Sequence, residues 1–149
     1  ITGRWHIVAL ATDSEGYLSQ KDKLKMAMAA LTVQGEGDLK VSFAIPTLAG
    51  CKRMERVYKQ TGIPGEYYSP ERGNRTAQVV DTDGKTYAVI FASRVKDGKT
   101  LHMLRLYSRT REVSPKITDL FKKIAKEKSF TDEMIVILPS QEECSLDEA

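Results

Sequence analysis

The stretch TAQVVDTDGKTYAVIFASRVKDGKTLHMLRLYSRT, residues 76–110, decides the fold. Three runs rich in β-branched and aromatic residues, Thr76–Thr82, Thr86–Lys96 and Thr100–Thr110, are separated by Asp83-Gly84 and Asp97-Gly98. Such pairs suit tight hairpins because glycine supplies a positive φ at no steric cost. Three consecutive antiparallel strands are therefore expected. The third carries Arg105 inside Leu101-His102-Met103-Leu104-Arg105-Leu106-Tyr107, a run otherwise apolar enough to be buried. A guanidinium leaves water only where something negative meets it, so this stretch poses a functional question as well as a structural one.

The same pattern extends upstream. Arg4–Ala11, Lys25–Val33, Leu39–Pro46, Cys51–Lys59 and Glu66–Ser69 read as strands, with turn chemistry at Gly35-Glu36-Gly37-Asp38 and from Gly62 to Gly65. Eight strands in consecutive hairpins predict an all-β, up-and-down antiparallel barrel, which leaves no exposed edge. Downstream the period changes. Ser114-Pro115 places proline at a first helical position, and Ile117, Leu120, Phe121 and Ile124 form an apolar stripe at helical spacing. Lys122, Lys123 and Lys126 suit the end of that helix. A short ninth strand, Met134–Leu138, leads to an acidic tail.

With 149 residues and 41% hydrophobic composition, residues 1–149 are expected to form one domain with a real core. A net charge of +3 with both signs interspersed gives no basis for a nucleic-acid partner. Lys52-Arg53 and Lys122-Lys123 read as solvated faces. The apolar runs, such as Tyr87 to Ser93, are too short to span a bilayer as helices. The chain opens on a strand-like segment, Trp5 to Ala11, so any leader is expected to have been removed before Ile1.

The two cysteines, Cys51 and Cys144, show no metal-ligand spacing. They are either one disulfide, worth about 4–5 kcal/mol for so long a loop on the chain-entropy model, or two unrelated buried thiols. A disulfide would imply an oxidising, extracellular compartment. Asn74-Arg75-Thr76 satisfies the N-glycosylation pattern in a turn-like segment, Pro70 to Asn74. His6 and His102, on separate strands, make no metal site.

Strand alternation groups Met103, Arg105, Tyr107 and Arg109 on one face of the eighth strand, and His102, Leu104, Leu106 and Ser108 on the other. Both faces are partly apolar, so alternation does not say which is inside. Met54, Arg56 and Tyr58 group likewise, as do Ala88, Ile90, Ala92 and Arg94.

Gly3-Arg4-Trp5, Thr82-Asp83 and Arg109, in this order and followed by a helix, resemble the three signature regions of the lipocalin family. The resemblance covers essentially the whole chain. It implies a calyx closed at one end by Trp5, with Arg109 packed across the ring, and it pairs Cys51 with Cys144. Lys23–Ala29, Arg94–Gly98, Leu101–Arg109 and Gln141–Cys144 resemble the siderocalin branch in particular. That branch binds ferric catecholate siderophores, and lysophosphatidic acid and long-chain fatty acids are also associated with it.

The branch holds its chelate with three cations. The resemblance carries these over to Arg56, Arg94 and Arg105; Met54 and Tyr58, which share a strand face with Arg56, and Met103 and Tyr107, which share one with Arg105, are expected to line the pocket with them. Met54 and Thr76 depart from the pattern, standing where relatives carry tryptophan and lysine. A ferric tris-catecholate of charge about −3 suits three cations: each pair at ~4 Å is worth roughly 1 kcal/mol in water and roughly 4 at an effective dielectric of about 20, before desolvation. Cation–π contact with the rings adds about 0.5–2 kcal/mol each.

The expectation is a secreted, non-enzymatic, monomeric binder, with a dimer as the alternative. Its partner is an anionic or amphiphilic small molecule, it has no resident cofactor, and iron is held by the siderophore. A purely lipid-carrying protein is the rival. One lipocalin branch isomerises prostaglandins through a free thiol, but here both cysteines match the structural pair and no other nucleophile–base set appears. The long connection Thr12 to Asp22, with Gly16 and Tyr17, is expected to lie across the open end.

Overall fold

The computed structural model describes residues 3–13, 19, 25–34, 37–47, 50–63, 65–69, 75–96, 98–110 and 112–138. Cys144, Asn74 and most of the connection expected across the open end lie outside the described residues.

Among the described residues nine strands, β1 (Gly3–Thr12), β2 (Ala27–Gln34), β3 (Asp38–Thr47), β4 (Gly50–Gln60), β5 (Glu66–Ser69), β6 (Arg75–Thr82), β7 (Tyr87–Lys96), β8 (Lys99–Ser108) and β9 (Ile135–Ile137), are joined by one α-helix, α1 (Pro115–Glu127). Each of β2 to β7 pairs antiparallel with the next, and β1 pairs with both β8 and β2, so the first eight strands close into a barrel. Compared with the sequence reading, β6 starts one residue earlier, at Arg75, and β8 ends at Ser108, leaving Arg109 just beyond it. A 3-10 turn, Asp132–Met134, precedes β9, which is shorter than expected.

β1 changes partner along its length. Gly3 to Ile7 run beside β2, the register then slips between Ile7 and Ala9, and Ala9 to Ala11 run beside β9. The slip is a bulge, which puts one extra residue on a strand and turns it. A second lies between Val79 and Asp81.

The Asp83 hairpin is built on one carboxylate. It accepts from the backbone N–H groups of Lys85, Thr86 and Tyr87 at 2.9, 2.7 and 3.1 Å, and from the Thr86 hydroxyl. These bonds hold the Asp83 carboxyl well below its ordinary value, the Thr86 hydroxyl contributing most.

α1 begins with Pro115 at its start, has Lys126 in its last turn and buries Phe121, Ile124 and Ala125. Lys122 and Lys123 are exposed, as are Lys52 and Arg53. Leu104 and Leu106 are completely buried in the same core cluster as Phe121 and Ile124. Met103, Arg105 and Tyr107 line the interior spaces and Leu104 and Leu106 do not, which settles the ambiguity of β8: the Met103/Arg105/Tyr107 face lines the barrel and the Leu104/Leu106 face is turned away from it.

Candidate functional site

Cross-strand partners point to the same side of a sheet, so the registers assign the interior row by row. The row nearest the mouth is Ser69, Arg75, Arg94 and Leu101 across β5 to β8. Below it come Tyr67, Ala77, Ala92, Met103 and Thr12, and then Val79, Ile90, Arg105 and Leu10. On the facing wall Arg56 pairs with Val41, Met54 with Phe43, and Tyr58 with Leu39.

Two spaces lie in this interior, sharing Tyr58, Ala92 and Arg105 as walls. The upper one is lined by Tyr58, Arg75, Arg94, Met103 and Arg105, with Thr12, Thr76 and His102 among its other walls. The lower one is largely apolar: Leu31, Leu39, Val41, Phe43, Ile90 and Ala92 surround it, with Arg105 and Tyr107 at its boundary. The upper space is charged and the lower one apolar, an arrangement that matches a ligand with a charged head and an apolar tail.

Arg56, Arg94 and Arg105 are each half-buried, and the structure brings them together around a fourth guanidinium, Arg75. Burial first, then the charges of Arg56 and Arg94, hold Arg75 below its ordinary pKa. Arg105 pushes the same way, with Tyr58 opposing. Among the described residues no carboxylate forms an ion pair with Arg56, Arg75 or Arg94. Sequence reasoning missed Arg75 because it fell one residue outside the expected strand. Arg75 is half-buried beside the other cations, while its neighbour Thr76 is exposed and hydrogen-bonds Ser93 at 2.5 Å.

Arg105 is the deepest of the four. Its Nε–H donates to the Met103 sulfur at 3.1 Å, and its guanidinium carbon lies 5.6 Å from the Phe43 ring centre. Burial pushes the Tyr107 hydroxyl up in pKa, and the charge and hydrogen bonding of Arg105 work against that shift. Tyr58 and Met103 are buried lining residues, whereas Met54 packs partly buried against the core. Tyr107 also meets Trp5 edge-on, with ring centres 6.4 Å apart. Trp5 is 1% exposed. His102 is a satisfied wall residue: its ring Nδ1 and backbone N–H both meet the Asp13 carboxylate, at 2.9 and 2.8 Å. No cluster of metal-ligating side chains occurs among the described residues.

A family model described as lipocalin / cytosolic fatty-acid binding protein matches residues 2–142. The chain belongs to this lipocalin family. It is 53% identical to the extracellular fatty acid-binding protein of Gallus gallus over 148 residues, covering 99% of this chain and 83% of that one. It superposes with a TM-score of 0.93, at 52% identity and 98% coverage of both chains, on the siderocalin Ex-FABP, a protein described as functioning through dual ligand specificities. A more distant lipocalin relative, prostaglandin-H2 D-isomerase of Felis catus, is 31% identical over 146 residues, covering 95% of this chain and 76% of that one.

These similarities place this lipocalin outside the cell, where a disulfide persists. Cys51 is disulfide-bonded, and no described cysteine is free. The chain's other cysteine is Cys144. Among the described residues no helix is long and apolar enough to cross a membrane.

Proposed function

We propose that this lipocalin is a non-enzymatic binder of siderocalin type, whose calyx sequesters ferric catecholate siderophores of the enterobactin and bacillibactin class and thereby withholds iron from bacteria. The observation that carries the proposal is the convergence of Arg75, Arg94 and Arg105 on one chamber, with Arg56 close enough for its charge to act on Arg75 and no carboxylate paired to Arg56, Arg75 or Arg94 among the described residues. Cations gathered at the cost of mutual repulsion and desolvation are understandable if an anion completes the site. Arginine stays charged when desolvated and offers a flat face to aromatic rings, which matches a trianionic chelate of three catechols.

The iron stays in the chelate's own oxygens, and the protein supplies charge, ring contact and exclusion of water. The apolar lower chamber favours a second ligand for the same calyx, lysophosphatidic acid, with its phosphate among the arginines and its acyl chain against Leu31, Val41, Phe43 and Ile90. With Cys51 bonded, the thiol chemistry of the isomerising lipocalins has no described nucleophile here.

The test is quenching of Trp5 fluorescence by ferric enterobactin, run beside lysophosphatidic acid, in the native protein and in Arg105→Ala. Tight siderophore quenching that collapses in the variant supports the proposal. Lipid binding without siderophore binding would leave a lysophospholipid or fatty-acid carrier.

A further inference from the structure

Two buried polar atoms near the mouth of the calyx have no hydrogen-bond partner, and they belong to facing residues. Ser69 is 1% exposed, and neither its Oγ nor the Nε of Arg75 is satisfied. The two residues oppose one another across the β5–β6 ladder, an arrangement that sets Cβ atoms about 5 Å apart. Other buried hydroxyls are engaged: Thr12 Oγ1 donates to the His102 carbonyl at 3.0 Å, and Ser108 Oγ accepts from the Thr110 N–H at 3.2 Å. Buried polar groups are ordinarily paired, so an adjacent unpaired couple asks for a state in which both are satisfied.

The couple is chemically complementary. A hydroxyl oxygen accepts, and Nε–H donates. Arg75 lines the upper chamber beside Arg94 and Arg105 and feels the charge of Arg56. An anion there removes the repulsion and draws the head group inward. The Nε–H, at the root of the guanidinium fork, then needs an acceptor from the wall, and Ser69 is its cross-strand neighbour.

We infer that Ser69 is a positioning and specificity-determining residue: with an anion bound, its Oγ accepts the Arg75 Nε–H and fixes the guanidinium plane, so that the remaining four N–H groups face phosphate oxygens. The inference rests on the calyx being an anion receptor. It separates two kinds of anion. A phosphate monoester has free terminal oxygens that take directed, charge-assisted hydrogen bonds and so depends on the plane of the fork. A ferric catecholate has its oxygens committed to iron and responds chiefly to charge.

The test titrates 1-oleoyl lysophosphatidic acid and ferric enterobactin into the native protein, Ser69→Ala, Arg75→Ala and the double variant, with Trp5 fluorescence as readout. Ser69→Ala should lower affinity for the phospholipid about tenfold, the usual scale of one charge-assisted hydrogen bond. Siderophore affinity should stay within about twofold. In the Arg75→Ala background the serine substitution should cost nothing further. The unliganded Tm of Ser69→Ala should not fall, since an unsatisfied hydroxyl is all it removes.

Unchanged phospholipid affinity, an equal loss for both ligands, a loss that persists without Arg75, or a clear drop in unliganded Tm would each overturn the inference. If the native protein takes only the phospholipid, the double-variant comparison decides. If it takes only the siderophore, the inference fails alone; if neither binds, the anion-receptor proposal fails with it.

Discussion

The guanidinium carbon of Arg109 lies 3.7 Å from the centre of the Trp5 ring, and Nη1 of the same side chain donates to the Arg4 carbonyl at 2.8 Å. One residue beyond β8 thus seals the start of β1 over the base of the barrel. A cation–π contact of about 0.5–2 kcal/mol and a hydrogen bond of about 1 kcal/mol meet there. Arg109→Leu should cost about 2 kcal/mol, read as a Tm drop of several degrees.

Gly3 bears on the same contact. Its φ is +102°, and a Cβ there would stand 2.8 Å from Arg109 Nη1. Gly3→Ala should cost about 1–3 kcal/mol, through backbone strain and displacement of the arginine. Added to Arg109→Leu it should cost less, because one of its two penalties has gone. Strict additivity of the two Tm changes would contradict the contact.

Arg75→Gln should trade stability against binding. It removes a cation that Arg56, Arg94 and Arg105 repel, so the unliganded Tm should rise by about 1–3 °C at low salt, with the half-exposed site moderating the gain. The gain should shrink in 0.5 M salt, where the Debye length is only about 4 Å. Affinity for ferric enterobactin should fall about tenfold as one of its counter-charges goes. A stability loss at low salt would argue that Arg75 is held by a partner rather than by strain.

The Asp83 turn sets a pH dependence. A carboxyl with depressed folded-state pKa adds stability that is present above its unfolded value, about 4, and lost as pH falls below it. Asp83→Ala should therefore lower Tm at pH 7, and the gap from the native protein should narrow below about pH 4. A gap that stays constant from pH 7 down to pH 2 would mean that the turn owes nothing to the ionised carboxylate.

Cys51→Ser should cost about 2–5 kcal/mol, the ordinary range for losing the disulfide of a secreted domain. Far-ultraviolet circular dichroism at low temperature should stay that of a β-barrel, since the strand ladders do not depend on the bridge. Loss of the β spectrum at 10 °C would make the disulfide a condition of folding.

The strands were legible because hairpin chemistry is local: Asp83-Gly84 and the alternating runs on either side carry their geometry with them. The inward face of β8 was not legible, because Leu104 and Leu106 are as buried as Met103 and Tyr107, against a helix that lies later in the chain. The bulge between Ile7 and Ala9 also shifts the alternation of β1, in which every residue from Ile7 to Thr12 is buried. Arg75 escaped for a related reason. It sits where a turn-like segment becomes a strand, and only the pairing with Ser69 and Arg94 tells that it has joined the wall.

The closure of β1 onto both β8 and β2 works like an inelastic hoop. Eight paired strands fix the girth of the vessel in backbone hydrogen bonds, and widening it means breaking a ladder rather than moving a side chain. Substitutions at Met54, Arg75 or Met103 can retune depth, charge and texture, while the widest cross-section admitted stays the same. A descendant of this chain would change its cargo by chemistry within a constant bore, and a bulkier guest would require another strand.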